Sequence, residues 1–391
     1  MLLRILPILI LTILVPDLYI YYFHIHHKHR ARWIKVLFWA PTAILLLLTV
    51  WMACSETLSP QNMEAIELYL TFYMLFALPK TIYMLVSLAG KLVGRFIPPY
   101  RKINTGISTT CAAVTFMVMA YGTVFGPSHL KVRKTEFVSQ DLPKIFDGYR
   151  IVQLSDLHLV SFKNHPETVK DIVDLVQAQH PDLIVFTGDL VSTDVTEMEP
   201  YLKTLAQLKA PDGVYSILGN HDYMTYARYM TPVEQAHKFE QLKQLQNAIG
   251  WKLLLNEHQV LHKGSGSIAI IGVENDGKPP FPERGDLVRA QKGLDTTQTV
   301  FKVLLSHDPT HWRRKVLPET DIQLTLSGHT HGMQLMLFGW SPSQHIYPEW
   351  HGMYQDEHGR ALNVSLGLGG ALIPFRFGAW PEINVITLRS K

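Results

Sequence analysis

The stretch Ile151-Val-Gln-Leu-Ser-Asp-Leu-His158 sets an apolar run, Ile151 to Leu154, directly before an Asp-x-His pair. The arrangement recurs four times. Leu183 to Phe186 leads into Gly188-Asp189, and Val214 to Leu218 into Gly219-Asn-His-Asp222. Val303 to Leu305 leads into Ser306-His307, and Ile322 to Leu326 into Gly328-His-Thr-His331. Short apolar runs bounded by turn residues read as buried strands. Each polar cluster therefore sits where a strand ends, which is where open α/β sheets build ligand sites. In Asp156-x-His158 the i, i+2 spacing on an extended segment lets both side chains point to one side.

Outward from these strands the pattern alternates. A strand at 150–155 leads to a helix near 166–179, where Val169, Ile172, Val173 and Val176 recur at helical spacing. A strand at 183–187, a helix near 197–209, a strand at 213–218 and a helix at about 232–249 continue this βαβ repetition. The second half holds strands near 251–262, 267–273, 300–305, 322–326, 361–366 and 383–388, with few helices. Gly264-Ser-Gly-Ser267 reads as a hairpin turn and not a nucleotide loop. Residues 127–148 read as a connector with a short strand at 135–138.

The first 126 residues differ. Mean hydropathy over the 391 residues is above zero, and the excess lies in four stretches, 2–23, 33–53, 66–89 and 106–126, each near the roughly 20 apolar residues a membrane-spanning helix requires. No small-x-small cleavage site follows the first stretch, so it reads as a retained helix. Lys28, Arg30, Arg32 and Lys35 lie between spans one and two, and Lys91, Arg95, Arg101 and Lys102 between spans three and four. These loops are expected inside. The 55–65 loop has Glu56 and Glu64 and no Lys or Arg, so it is expected outside, with everything after span four. Lys131, Arg133 and Lys134 point the other way, but long domains are translocated largely regardless of such charge. The expected location is the cell (inner) membrane, multi-pass, with residues 127–391 on the outer face. Asp17 and Lys80 each lie about 14 residues into spans running the same way, and at 1.5 Å rise per residue they reach similar depth and are expected to pair.

The net charge of +3 is too small to argue for nucleic acid. Cys54 and Cys111 fall at different depths of the membrane part, which argues against a disulfide. The clusters instead supply Asp, Asn and His in the inventory of two adjacent cations. Two cations roughly 3.5–4 Å apart can deprotonate a shared water and clamp phosphate oxygens. The mixed ligand set suits two divalent ions of Mn, Fe or Zn better than Mg or Ca.

In the order DxH, GD, GNH[DE], H and GHxH, the series resembles the calcineurin-like metallophosphoesterase superfamily over about 149–391. Gly328-His-Thr-His-Gly-Met-Gln334 and Gly378-Ala-Trp-Pro-Glu-Ile383 are most similar to the bacterial membrane-anchored group that includes YkuE and the UDP-diacylglucosamine hydrolases. The resemblance implies two packed mixed sheets flanked by helices, preceded here by the four-helix transmembrane region. It also implies one metal on Asp156, His158, Asp189 and His331, and a second on Asp189 as bridge with Asn220, His307 and His329. His221 matches the outer histidine that protonates the departing oxygen. Where many of these enzymes place an Asp to orient that histidine this chain has Ser192, leaving Asp194 or Asp222 as the candidates. Met333 stands where the group commonly has a second glycine.

The implied activity is hydrolysis of a phosphomonoester, phosphodiester or pyrophosphate bond by a metal-bridging hydroxide, the phosphorylated substrate being a membrane lipid or a soluble nucleotide. The other reading is a membrane sensor or assembly protein that binds a phosphorylated ligand without turnover; the filled ligand set counts against it. Four further features stay open. Arg376 is a candidate for a substrate phosphate, against a surface salt bridge. Gly367-Leu-Gly369-Gly370 is a tight loop whose amides could face substrate. Leu335, Met336, Leu337, Phe338 and Trp340 either touch membrane or form a buried strand edge. His24, His26, His27 and His29 read as a polar interfacial segment ahead of a metal site.

Overall fold

The computed structural model describes residues 2–26, 31–54, 62–227, 229–294, 301–370 and 373–391. His27, His29, Lys28, Arg30 and Glu56 lie outside the described residues. Two compact units result, Met1–Phe125 with Leu372–Phe375, and Gly126–Ala371 with Arg376–Lys391.

The first unit is built on four helices, α1 (Leu2–Ile20), α2 (Arg32–Cys54), α3 (Met63–Phe96) and α4 (Tyr100–Val124), each long and apolar enough to cross a membrane. A wide turn, Tyr21–Ile25, extends α1. At 1.5 Å rise the 34 residues of α3 cover about 51 Å, so its ends overhang a ~30 Å hydrocarbon core. The third span thus runs past the expected 66–89 at both ends, and the fourth starts six residues before 106. Polar side chains join the helices across the apolar interior, where each such group needs a partner. Lys80 Nζ lies 2.8 Å from Asp17 Oδ1, and Thr42 Oγ1 donates to Asp17 Oδ2. Thr49 and Tyr69 hydroxyls meet at 2.9 Å, Tyr19 and Ser87 at 2.8 Å. The expected ion pair is present, with Thr42 as an added partner. Gly90 and Gly94 form a small-xxx-small strip on α3. A Cβ at Gly90 would overlap Asn104 Oδ1, and one at Gly94 would lie 2.7 Å from Arg101 Cγ, so the strip lets α4 approach.

The second unit is two six-stranded sheets. The first runs β1 (Lys131–Ser139), β12 (Glu382–Ser390), β2 (Arg150–Leu154), β3 (Leu183–Phe186), β4 (Val214–Ser216), β5 (Trp251–Leu253); the second runs β10 (Gly352–Gln355), β11 (Ala361–Val364), β9 (Leu324–Ser327), β8 (Phe301–Leu305), β7 (Gly266–Gly272), β6 (Glu257–Lys263). Both are mixed. β2 to β5 are parallel while β12 opposes β2, and β7, β8, β9 and β11 are parallel while β6 and β10 oppose their neighbours. Alternation along the strands splits the apolar residues between faces. Ile151, Leu183 and Val185 point inward and share one core with Ile270, Val303, Leu305 and Leu326 of the other sheet. Val152, Leu154, Ile184 and Phe186 point outward, where Val169, Ile172, Val173 and Val176 of α5 (Glu167–Gln177) cover them.

Several boundaries move. The region read as a connector contains β1, nine residues paired in parallel with β12. The expected helix near 197–209 is a seven-residue 3-10 helix, Val195–Tyr201, which contains Pro200, followed by the single turn α6 (Leu202–Leu205). The expected strand at 251–262 is two, β5 and β6. The helix at 232–249 forms as α7 (Pro232–Ala248), started by a capping box in which Thr231 and Glu234 satisfy each other's amides behind Pro232. β6 and β7 form the hairpin expected at Gly264.

Candidate metal centre

The C-terminal ends of β2, β3, β8 and β9, and the segment after β4, converge on one buried site. Asp156, His158 and His331 present ligand atoms within 4.8 Å of one another, and so do Asp189, His307 and His329. His158 Nε2 and His331 Nε2 are 3.2 Å apart, and His331 Nε2 is 3.3 Å from Asp156 Oδ1. The two groups meet at Asp189, whose Oδ2 lies 3.2 Å from His307 Nε2 and 3.6 Å from His158 Nε2. Asn220 Nδ2 donates to Tyr226 Oη at 3.0 Å, which leaves its Oδ1 buried without a hydrogen-bond partner.

The backbone is bent to achieve this. Asp156, His158, Asp189, His329 and His331 all have positive φ, between 42° and 73°. A non-glycine residue there costs on the order of 1–3 kcal/mol, and such strain gathers at functional sites. Glycines admit the carboxylates. A Cβ at Gly219 would overlap Asp189 Oδ1, and one at Gly328 would overlap Asp156 Oδ2.

Burial sets the protonation. It pushes His158 down to about 3 and His329 down to about 4, and holds His331 well below the ordinary imidazole value. These rings are neutral, with lone pairs to offer. Burial also lowers His307, but Asp189 and Asp156 outweigh it and raise it to about 10. Burial raises the Asp156 carboxyl to about 6 against the opposing pull of His307. Three neutral imidazoles, two carboxylates and an unpartnered amide oxygen, joined by His307 once a cation displaces its Nε2 proton, are the donor set of a site for divalent cations.

Neighbouring groups fix each ring. His307 Nδ1–H donates to Thr187 O at 2.7 Å. His158 Nδ1 lies 3.1 Å from Ser192 Oγ, and His221 Nδ1 donates to Ser192 O at 2.8 Å. The His221 amide donates to Asp189 Oδ1 at 2.8 Å. Neither carboxylate expected to orient His221 does so. Asp194 is taken by Lys238 at 2.7 Å and by Tyr229, and Asp222 accepts the amides of Asp189, Leu190, Val191 and Gly219. Glu197, also buried, accepts the amides of Val160, Ser192, Thr193 and Asp194. The second ring nitrogen of His221 has no partner among the described residues.

Arg376 is neither on the surface nor open to a substrate. It is 1% exposed, and its guanidinium donates to Ala379 O and Leu366 O while Nη2 lies 3.1 Å from His331 Nδ1. Burial favours this, because a buried donor without an acceptor is costly; both Nη atoms find carbonyls, while Nε has no hydrogen-bond partner. The loop Gly367–Gly370 is likewise structural. Amides of Leu368, Gly369 and Gly370 go to Ser155 O, Asp156 O and Ser161 Oγ. The sequence did not single out Tyr347, whose hydroxyl lies 3.0 Å from His329 Nε2, Tyr226, whose ring lies tilted with its centroid 4.4 Å from that of His221, or Asp308, 3.6 Å from His329 Nε2. Asp308 adjoins His307 in sequence and could have been flagged; the tyrosines carry no such signal. Of the apolar segment after His331, Leu335, Met336 and Leu337 are half-buried, while Phe338 and Trp340 are exposed.

A family model described as calcineurin-like phosphoesterase matches residues 149–333, and one described as probable calcineurin-like phosphoesterase, transmembrane domain matches residues 3–127. The chain is 33% identical over 282 residues to the metallophosphoesterase YkuE of Bacillus subtilis, covering 69% of this chain and 89% of that protein. It is 29% identical over 309 residues to a Danio rerio transmembrane protein with metallophosphoesterase domain, covering 77% and 67%. It is also 29% identical over 334 residues to the UDP-2,3-diacylglucosamine pyrophosphatase LpxG of Chlamydia trachomatis, covering 72% and 97%.

Proposed function

The chain belongs to the calcineurin-like phosphoesterase family and is a membrane protein and metal-dependent phosphoester hydrolase, and from that premise we propose that it splits a phosphoester or pyrophosphate bond of a lipid-borne substrate at a two-cation centre. The observation that carries this reading is the pair of buried ligand groups that meet at Asp189. Asp156, His158 and His331 would hold one ion, Asn220, His307 and His329 the other, with Asp189 shared. Two divalent cations of Mn, Fe or Zn supply, when bound, an activated water at neutral pH and a positive clamp for phosphate oxygens. A lipid substrate is supported by the four bilayer-length helices and by LpxG, whose name gives it a diacylated substrate.

We read His221 as the general acid. Its Nδ1 is tied to Ser192 O and its amide to Asp189, which fixes the ring beside the centre with its other nitrogen free. That nitrogen would give a proton to the departing oxygen. Asp222 and Glu197 hold the loops by accepting eight hydrogen bonds from backbone amides, so the acid and the bridging carboxylate stay in register.

The test uses the full-length protein and aryl phosphodiesters with Mn, with and without chelator. Turnover that chelation abolishes is expected, and His221→Ala should keep the metals yet slow hydrolysis most for poor leaving groups. Equal slowing with good and poor leaving groups would remove the acid role. Metal-loaded protein without any turnover would favour a sensor that only binds its phosphorylated ligand.

A further inference from the structure

The segment that leaves the metal centre after His331 is unlike the rest of the catalytic unit's surface. From Gly332 to Tyr347 it contains no Asp, Glu, Lys or Arg. It exposes Met333 (42%), Phe338 (fully), Trp340 (43%) and Ile346 (52%). Large exposed apolar side chains elsewhere in this unit, such as Val138, Ile145, Val233 and Val288, are spread along the chain, whereas these four fall within 14 residues. Isolated ones are ordinary, whereas a cluster marks an interaction surface.

The segment is built rather than loose. Leu337 and Trp340 exchange backbone hydrogen bonds of 2.8 and 2.9 Å around the two-residue tip Phe338-Gly339, both at positive φ. This is the geometry of a tight hairpin turn, in which Asn or Gly at the first position would be the relaxed choice. A phenylalanine there is strained, buries nothing, and makes no ring contact among the described residues. Its side chain therefore serves something outside the unit. The base is anchored by Met336 N to Phe377 O at 2.7 Å, Phe377 N to Gln334 O at 3.0 Å, and Ser341 Oγ to Gly332 O at 2.7 Å.

We propose that this hairpin is a membrane-docking lip, which places Phe338 and Trp340 at the boundary of headgroups and acyl chains and so brings lipid phosphoesters to the metal centre. The bilayer is the occupant because the unit is tethered to it. Only residues 125–130 separate α4 from β1, and that link reaches about 20 Å when extended. Exposed Phe and Trp without flanking charge suit the bilayer interface. The segment that carries the lip starts at Gly332, next to His331, so docking sets the depth of the site. Docking does not depend on the phosphoesterase reading; delivery of substrate does.

Two measurements on the full chain in nanodiscs of phosphatidylethanolamine and phosphatidylglycerol decide it. In a Cys54→Ser, Cys111→Ser background, Phe338→Cys and Val233→Cys are labelled with a polarity-sensitive fluorophore. We expect a blue shift, with quenching by lipid-borne nitroxide, at 338 and not at 233. Equal emission at the two positions overturns the proposal, as does a blue shift without lipid quenching, which would place a protein surface there. For delivery, Phe338→Ser with Trp340→Ser is assayed on bis(p-nitrophenyl) phosphate and on hexadecyl p-nitrophenyl phosphate in vesicles. A fall of at least tenfold on the alkyl diester with less than a twofold change on the soluble one is expected; equal changes overturn delivery. If the unmodified protein hydrolyses neither ester, the phosphoesterase reading fails and the fluorescence result still decides docking.

Discussion

Ser192 serves two histidines with two different atoms. Its carbonyl accepts from His221 and its hydroxyl meets His158. Ser192→Ala removes only the hydroxyl, so we predict metal affinity about tenfold weaker, as for other groups that orient a metal-binding histidine. The leaving-group dependence should stay unchanged, because the carbonyl remains. Metal titration together with a leaving-group series checks this, and a changed leaving-group slope would mean that the hydroxyl, not the carbonyl, orients His221. The candidate ligand positions were legible in the sequence because their identities are the chemistry: Asp156, His158 and His331 come together, as do Asp189, His307 and His329. Partners such as Ser192 O, or the carbonyls that capture Arg376, are backbone atoms, which every residue has and no side-chain pattern marks.

At the scale of elements, α1 and α3 carry opposite charges at one depth, and Thr42 on α2 completes the contact. Breaking a buried ion pair leaves one charge unpaired, at a cost of roughly 3–5 kcal/mol in protein interiors. We predict that Asp17→Lys and Lys80→Asp each lower the unfolding midpoint in detergent, and that the double exchange recovers most of the loss, since Thr42 can accept from a lysine as well as donate to an aspartate. A double variant no better than either single would show that the charges act separately. This pair could be read from the sequence because helical rise converts residue count into depth. The pairing of β1 with β12 could not, since it joins residues about 250 positions apart and neither strand's own pattern names its partner. Helix α3 ran past its expected limits because Lys91 and Arg95 are good helix formers that extend it beyond the apolar stretch.

For the whole molecule, we propose that the catalytic unit faces outward, because Arg32, Lys35, Lys91, Arg95, Arg101 and Lys102 gather between spans one and two and between spans three and four, which puts those ends inside. We predict that a reporter fused after Lys391 is active outside the bacterial cytoplasm and that protease added to spheroplasts cuts within 127–391. Cleavage confined to residues 55–65 would reverse the topology and favour a nucleotide-linked lipid made inside the cell as substrate. The central claim, a carboxylate shared by two cations, is tested most directly by metal analysis of the full-length protein beside its Asp189→Asn variant, with phosphodiester turnover followed in parallel. The account predicts two bound divalent ions and turnover in the unmodified protein, and loss of both metal and turnover in Asp189→Asn. Two ions still bound in the variant, with undiminished rates, would contradict it.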